Sequence, residues 1–249
     1  MHLKTTPHAA PLCTLLLLVS GLVLAACSSL SPTAQDSSAS LADEANVVPG
    51  INDSWKSDEI GPLIGRLETE SREIFTERGL IGAVVGTRPG SDVADIGAGS
   101  GFMTHLFSRL VGEAGTVYAV DINGTLLEHI ASGAAERGLK NIETVLCTEK
   151  SVELPEASVD FIFICDTYHH FEYPRNTMST IHSALRPGGQ LVIVDFERIP
   201  GVSSEWILGH VRAGKELVTQ EIEAAGFEFT NEHDLEAVVD NYIIRFRKK

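Results

Sequence analysis

The sequence predicts an α/β protein with a mostly parallel β-sheet covered by helices on both faces. Short apolar runs alternate with stretches of helical periodicity through the second half of the chain, which is typical of βαβ units. One junction, from Asp95 to Gly101, carries three glycines, and Asp121 closes the next apolar run. A glycine turn followed by an acid at this spacing indicates a nucleotide site at the carboxyl ends of the strands.

The first 26 residues are predicted to be an export signal. Lys4 precedes an apolar run that is too short to span a membrane comfortably. The sequence Leu24-Ala25-Ala26-Cys27 resembles the bacterial lipobox, which implies lipid attachment at Cys27. Ser28 at the next position then favours the periplasmic side of the outer membrane. If Cys27 is not lipidated, the expected location is the soluble periplasm.

Residues 27–50 are predicted to be a flexible linker, and residues 51–249 a single folded domain. Ser, Ala and Asp dominate the linker and large apolar side chains are few, so it cannot bury enough surface to fold. From Ile60 to Val85 apolar residues recur at helical spacing, which predicts one or two amphipathic helices before the sheet. We expect these helices and Trp55 to cover the strand ends.

The remaining elements follow from local signals. The first strand includes Val93 and Ala94, and a helix from Phe102 to Val111 follows the glycine turn. Asn123 can cap a helix that Gly138 ends. The other predicted elements are strands at 116–121, 142–147, 159–165 and 190–194, helices at 174–185 and 214–225, and a closing antiparallel pair at 227–230 and 242–246.

The order of four motifs is similar to that of class I S-adenosylmethionine (SAM)-dependent methyltransferases. They are the glycine turn behind Asp95, the acid Asp121, the strand 159–164, and the segment 185–194 that turns into the fifth strand. A nicotinamide-dependent oxidoreductase is the alternative, but Phe102 stands where its third glycine is expected. The resemblance implies a Rossmann-like fold with a seven-stranded sheet, and SAM as the cofactor.

The resemblance also implies a set of cofactor contacts. Asp121 would hold the ribose hydroxyls, and Asp95 would orient the turn and meet the amino group of the methionine part. Glu149 is our choice for the adenine contact, although an acid after glycine is usual at this point and Cys147-Thr148 precede it here. The remaining expected contacts are Gly97, Ala98, Gly99, Gly101, Phe102 and Ile122.

The transferred methyl group is expected near the end of the fourth strand. His169 and His170 are the candidate general bases, since a histidine titrates near neutral pH, and Asp166 is expected to orient the base or the acceptor. The same stretch can instead pack near the cofactor without transferring a proton. A metal site of Asp166, His169, His170 and Glu197 is a further alternative. We predict none, because adjacent histidines usually point apart.

The net charge and the cysteines limit which binding partners and which thiol states we expect. The net charge of −15 argues against a nucleic-acid partner, which would need a basic face. The expected acceptor is a small or lipid-like molecule. His210, Arg212 and Lys215 are expected in a loop before the last helix, either as contacts for an anionic substrate group or as surface residues. Cys147 and Cys165 lie on strands that others should separate, so we expect two buried free thiols. Because SAM is made in the cytosol, the alternative function is an envelope lipoprotein that binds SAM or a related nucleoside without turnover.

Overall fold

The computed structural model describes residues 41–69 and 72–249. Its centre is one seven-stranded sheet in the order β3-β2-β1-β4-β5-β7-β6. The strands are β1 (Val93–Ile96), β2 (Val117–Asp121), β3 (Ile142–Leu146), β4 (Val159–Cys165), β5 (Leu185–Phe196), β6 (Phe227–His233) and β7 (Asn241–Lys248).

Strands β1 to β5 are parallel, and β7 runs antiparallel between β5 and β6. The predicted α/β fold with a seven-stranded, mostly parallel sheet and a C-terminal antiparallel pair is therefore confirmed. The strand order reverses between β1 and β4. In open sheets of this kind ligands bind at that reversal, beyond the carboxyl ends of the strands.

The helices that follow β1 and β2 match the sequence prediction closely. The first runs over Phe102–Val111, and in the second the side chain of Asn123 caps the first turn by accepting hydrogen bonds from the amides of Thr125 and Leu126. The full set is α1 (Gly61–Leu67), α2 (Glu73–Thr76), α3 (Arg78–Val85), α4 (Phe102–Val111), α5 (Gly124–Glu136), α6 (Pro174–Ala184), α7 (Glu205–His210) and α8 (Lys215–Ala224).

Two regions differ from the expectation. The described residues within 60–69 and 72–85 form three short helices rather than one or two. The chain leaves helical geometry at Glu68 and again at Glu77. The stretch before Lys215, expected to be a loop, contains α7, whose first turn is capped by the Ser204 side chain. Six residues are too few for a clear amphipathic period, so the pattern alone did not reveal this helix.

Apolar clusters fill both faces of the sheet. On one face Ile162, Ile164 and Leu191 pack with helix α6, and on the other Phe163 packs edge to face on Phe107 of α4. The central strands are buried almost throughout, as expected for a sheet with helices on both sides. The rigid sheet therefore fixes the positions of the loops at its carboxyl edge.

The predicted leader and its Cys27 lie outside the described residues. Among residues 41–69 and 72–249, no helix combines the length and the apolar character that crossing a bilayer requires. Cys147 and Cys165 are both free, as expected, and β2 and β1 lie between their strands. Both thiols are half-buried rather than buried, because each lines an open cleft.

Candidate functional site

An open cleft lies at the carboxyl ends of the parallel strands and encloses about 1090 Å³, part of it open to solvent. We call the walls from the ends of β1, β2 and β3 the glycine side, and those from the ends of β4 and β5 and from α7 the histidine side. The glycine side includes Gly97, Gly99, Asp121, Ile122 and Glu149, and the histidine side includes Asp166, His169, His170, Phe196, Trp206 and His210.

The glycine turn brings backbone to the floor of the cleft. Gly97 has a φ of 73°, and a Cβ there would lie 2.2 Å from Oγ1 of Thr167. Only glycine fits that conformation and that approach. The same turn leads into α4, whose N-terminal amides and dipole favour a carboxylate nearby.

Asp121 ties the turn to the end of β2. Its carboxylate accepts hydrogen bonds of 2.8 Å from the Gly99 amide and 2.9 Å from the Asn123 amide. Burial raises the pKa of Asp121. The fixed carboxylate at the cleft wall has the position and chemistry to bind vicinal hydroxyls of a ribose.

Asp95 and three other predicted contacts lie behind the cleft wall rather than on it. Asp95 accepts a 2.6 Å hydrogen bond from Oγ1 of Thr104, and burial raises its pKa to about 7. Ala98 packs among α5 side chains, a Cβ on Gly101 would strike Ile130, and Phe102 packs on Phe75. These residues shape the turn from behind and do not reach the open space.

Glu149 lines the cleft at its outer end. Its carboxylate accepts a 2.6 Å hydrogen bond from Nζ of Lys56, and this contact lowers the pKa of Glu149. An adenine contact from Glu149 would therefore compete with an existing ion pair. It remains a prediction from the sequence.

A segment before α1 covers the cleft. The side-chain amide of Asn123 donates to the carbonyls of Trp55 and Ser57 at 2.7 and 2.8 Å, and Asn52 donates to the carbonyl of His170 at 3.1 Å. The Trp55 ring lies edge-on to the His170 ring, with 5.8 Å between centroids. The segment thus contacts both sides of the cleft.

The histidine side is organised by Asp195, near the end of β5. Its carboxylate lies 2.7 Å from Nδ1 of His169 and accepts a second hydrogen bond from the His169 amide at 3.1 Å. Both side chains are 2% exposed. With Nδ1 donating to Asp195, Nε2 of His169 is left to accept a proton or another ligand.

Asp166 lines the cleft but is not hydrogen bonded to either histidine, so only its expected contact with the acceptor stays a prediction. Its carboxylate pairs with Arg72 and accepts a 2.5 Å hydrogen bond from the side-chain amide of Asn241. Asp195, not Asp166, is hydrogen bonded to the histidine. Asp166 has a φ of 47°, a left-handed conformation that Asp tolerates better than most residues, and its two partners hold it there.

The two adjacent histidines do not point apart, contrary to the expectation. Their ring centroids are 4.4 Å apart, and the His210 ring lies 5.2 Å from each. Trp206 stacks on His210 at 4.8 Å. The candidate ligand Glu197 is bound to Lys215 at 2.8 Å instead, so it does not join this cluster.

The sequence predicted His210 in a loop, as an anion contact or a surface residue, and it gave no sign of Trp206 or Asp195 in the site. The available signals were the four-residue spacing of Trp206 and His210, which places them on one helix face, and the acid at the end of β5. Arg212 and Lys215, suggested as anion contacts, are paired with Glu221 and with two other acids, respectively. Neither lines the cleft.

The histidines differ in proton affinity. Burial, together with the neighbouring His169 and His210 rings, lowers the pKa of His170 to about 2. Burial also lowers the pKa of His169, but the Asp195 carboxylate outweighs it and raises that pKa above its usual value. Of the two residues suggested as bases, His169 is therefore the stronger proton acceptor.

Comparison with known proteins supports the same class. Residues 94–193 match the family model described as a methyltransferase domain. The chain is 32% identical over 114 residues to the ubiquinone/menaquinone biosynthesis C-methyltransferase UbiE of Hahella chejuensis, covering 45% of this chain and 46% of the relative. It is 31% identical over 116 residues to UbiE of a Shewanella species, covering 46% of each. The chain thus spans about half the length of the curated relatives it matches.

Solved structures match more of the chain. A SAM-dependent methyltransferase from Aquifex aeolicus superposes with a TM-score of 0.65 at 25% identity, covering 74% of this chain and 96% of that one. The [4+2]-cyclase SpnF superposes with a TM-score of 0.66 at 16% identity, covering 82% and 97%. The fold, the glycine turn with Asp121 and the match over residues 94–193 together support a SAM-dependent methyltransferase domain in this chain.

Proposed function

We propose that the protein transfers the methyl group of SAM to an apolar, ring-bearing small molecule or lipid. One observation carries this proposal. A single cleft joins the Gly99–Asp121 hydrogen-bonded turn, which fits a nucleoside with an amino-acid tail, to a histidine side walled by aromatic rings. The acceptor would lie against those rings, next to the turn.

Positioning accounts for most of the catalysis in this proposal. SAM supplies an electrophilic methyl carbon when it is bound. The chain's task is to align an acceptor with that carbon and to keep water away. Trp55 and the segment around it cover the cleft, while Phe196 and Trp206 provide apolar surface. His169, held by Asp195, can accept a proton that the acceptor loses.

The choice of acceptor class rests on the cleft and on the relatives. UbiE proteins are C-methyltransferases of ubiquinone and menaquinone biosynthesis, and they resemble this chain over the domain core. Trp206 is 51% exposed at the cleft, which suits a ring or chain that enters from an apolar phase. A quinone-type or other lipid-like acceptor is therefore favoured over a polar metabolite.

A titration of the full chain with SAM tests the cofactor assignment. We expect saturable binding in the wild type and about 10-fold or greater loss in Asp121→Ala, since two hydroxyl contacts disappear. Glu128→Ala, an exposed acid on the neighbouring helix α5, is the matched control and should bind as the wild type does. NAD should not bind.

Methyl transfer is then measured with methyl-labelled SAM and a bacterial lipid extract, and with a polar metabolite extract as the comparison. Label that enters the lipid extract supports the proposal. SAM binding without label in either extract would instead support a binding module, a real alternative because this fold does not fix the reaction. A wild type that folds but does not bind SAM would overturn the cofactor-dependent function.

We also propose that the protein is lipid-anchored at Cys27 on the periplasmic side of the outer membrane. The support is the sequence Leu24-Ala25-Ala26-Cys27-Ser28 behind an apolar leader. In Cys27→Ala the mature chain should leave the membrane fraction and lose the mass of the lipid. Cys13→Ala, which alters a thiol inside the leader, should stay with the membrane. Retention of Cys27→Ala in the membrane fraction with an unchanged mass would contradict the anchor.

A further inference from the structure

Three histidines converge on one point of the cleft. One ring nitrogen from each of His169, His170 and His210 lies within 4.8 Å of those of the other two. The ring planes are inclined to one another by 45° to 74°, so the rings are not simply stacked. They come from two separate elements, the turn after β4 and helix α7, and only the fold brings them together.

The ring of His169 is oriented from behind. Asp195 holds its Nδ1 at 2.7 Å, which leaves Nε2 for the cluster. A carboxylate on the far nitrogen of a ligating histidine is a common feature of metal sites, because it fixes the tautomer and makes the ligand more basic. Asp195 is itself 1% exposed, so this orientation is firmly fixed.

The cluster also contains a buried polar atom whose hydrogen-bonding capacity is unsatisfied. Nδ1 of His170 is buried and has no hydrogen-bond partner among the described residues. A buried polar atom without a partner is costly and calls for an explanation, such as an ion or ligand that completes it. In the part of the chain that the structure describes, this is the one group of three or more His, Cys, Asp or Glu side chains with the geometry to hold a metal ion.

We propose that His169, His170 and His210 bind one divalent transition-metal ion, with zinc as the best match. The ion occupies Nε2 of His169, so the proton-accepting role proposed above for that nitrogen belongs to the metal-free protein. Three imidazoles with a fourth, open position form a donor set of catalytic rather than structural zinc sites. Zinc at about 2.1 Å from each nitrogen places ligand atoms roughly 3.4 Å apart, so the ring nitrogens need to approach one another by up to about 1.4 Å. All three line the cleft, and the fourth position faces it.

The open position defines the ligand. The open position takes water or an oxygen donor of a molecule in the cleft, such as the hydroxyl group of a phenol or a quinol. Trp206 stacks on His210, and Phe196 lies edge-on to both His169 and Trp206. An oxygen-bearing ring bound to the metal would therefore rest on an aromatic wall. This part of the inference rests on the proposed function, whereas the metal site itself does not.

The test measures zinc on the full chain, stripped with a chelator and returned to chelator-free buffer. We expect one equivalent of Zn²⁺ to bind the wild type. His210→Ala and His170→Ala should each weaken binding by about 100-fold or more, and Asp195→Asn by about 10- to 100-fold. His129→Ala, a histidine on α5 away from the cleft, is the matched control and should leave the affinity unchanged.

Cobalt provides a second readout that does not depend on enzymatic activity. Co²⁺ in the wild type should give the visible absorption of a four-coordinate site, and His210→Ala should lose it while its circular dichroism stays native. Folded wild type that binds no Zn²⁺ would overturn the metal site, as would binding that survives in His210→Ala. A parallel SAM titration separates the proposals: zinc without SAM binding overturns only the proposed function, and SAM binding without zinc only the metal site.

Discussion

The carboxylate of Asp195 accepts a 2.7 Å hydrogen bond from Nδ1 of His169 and a 3.1 Å hydrogen bond from the His169 amide. One side chain thereby fixes both the tautomer and the backbone position of the histidine. Strand β5 carries the acid and the turn after β4 carries the histidine, so adjacent parallel strands hold the pair. The sheet therefore fixes the orientation of the His169 ring.

Asp195→Asn should slow methyl transfer by about 10- to 100-fold. An amide can donate to Nδ1 and so stabilise the wrong tautomer, and the negative charge that supports a protonated ring is lost. The dissociation constant for SAM should change by less than about twofold, because Asp195 lies on the histidine side. Single-turnover rates and SAM titration measure the two effects, with exposed Asp240→Asn as control. An equal loss of SAM affinity would contradict this division of roles.

Gly97→Ala should destabilise the fold by about 1–3 kcal/mol and weaken SAM binding. The left-handed φ of 73° penalises a Cβ, and the new methyl group would meet the Thr167 side chain. Gly124→Ala is the control, since a Cβ there meets nothing within 4 Å. Urea unfolding curves measure the free energy. Gly97→Ala with wild-type stability would show that the turn relaxes without cost.

Asp95 should make the fold less stable as the pH rises from about 4 to about 7. The unfolded chain loses this proton near 3.8, while the folded protein keeps it until about 7. Across that window the unfolded state binds fewer protons, so stability falls with pH. Relative to Asp95→Asn, the wild type should lose about 2 kcal/mol between about pH 5 and about pH 7. Urea unfolding of both proteins at the two pH values measures this difference.

The matched variant for that series is Asp240→Asn, which alters an exposed carboxyl and should follow the wild type. Because Asp121 also raises the pKa of Asp95, Asp121→Asn should reduce the pH dependence without removing it. A pH-independent difference between wild type and Asp95→Asn would mean that Asp95 is ionised in the folded protein throughout.

Asn123 should contribute both to the stability of helix α5 and to holding the segment around Trp55 over the cleft. Asn123→Ser keeps an N-cap acceptor but loses the donors to the Trp55 and Ser57 carbonyls, whereas Asn123→Ala loses both functions. The free energy of unfolding of Asn123→Ala should be about 1 kcal/mol lower than that of Asn123→Ser. Both should release SAM faster than the wild type, as stopped-flow measurements can show. Unchanged release in both would mean that the segment around Trp55 does not retain the cofactor.

The sequence was most informative where local chemistry decides the structure. The glycines from Gly97 to Gly101 and the cap Asn123 act within a few residues, so their pattern predicted the turn and helices α4 and α5. The end of β2 at Asp121 followed from a single apolar run. These elements form the glycine side of the cleft.

The histidine side depended on contacts between distant residues, which the pattern does not encode. Asp195 and His169 are 26 residues apart, and Arg72 reaches Asp166 across 94 residues. The pairing of β4 with β5 decides which acid meets the histidine, and the short helix α7 decides that His210 joins it. For this reason the sequence did not reveal that Asp195, rather than Asp166, is hydrogen bonded to His169.

Different kinds of chemical group form the two sides of the cleft. Backbone amides, glycines and one carboxylate form the glycine side, where most substitutions would disturb the turn itself. Side chains from the ends of β4 and β5 and from α7 form the histidine side, where a replaced ring leaves the sheet intact. Related proteins can therefore exchange one acceptor for another through changes at Phe196 and Trp206 while the glycine side stays unaltered.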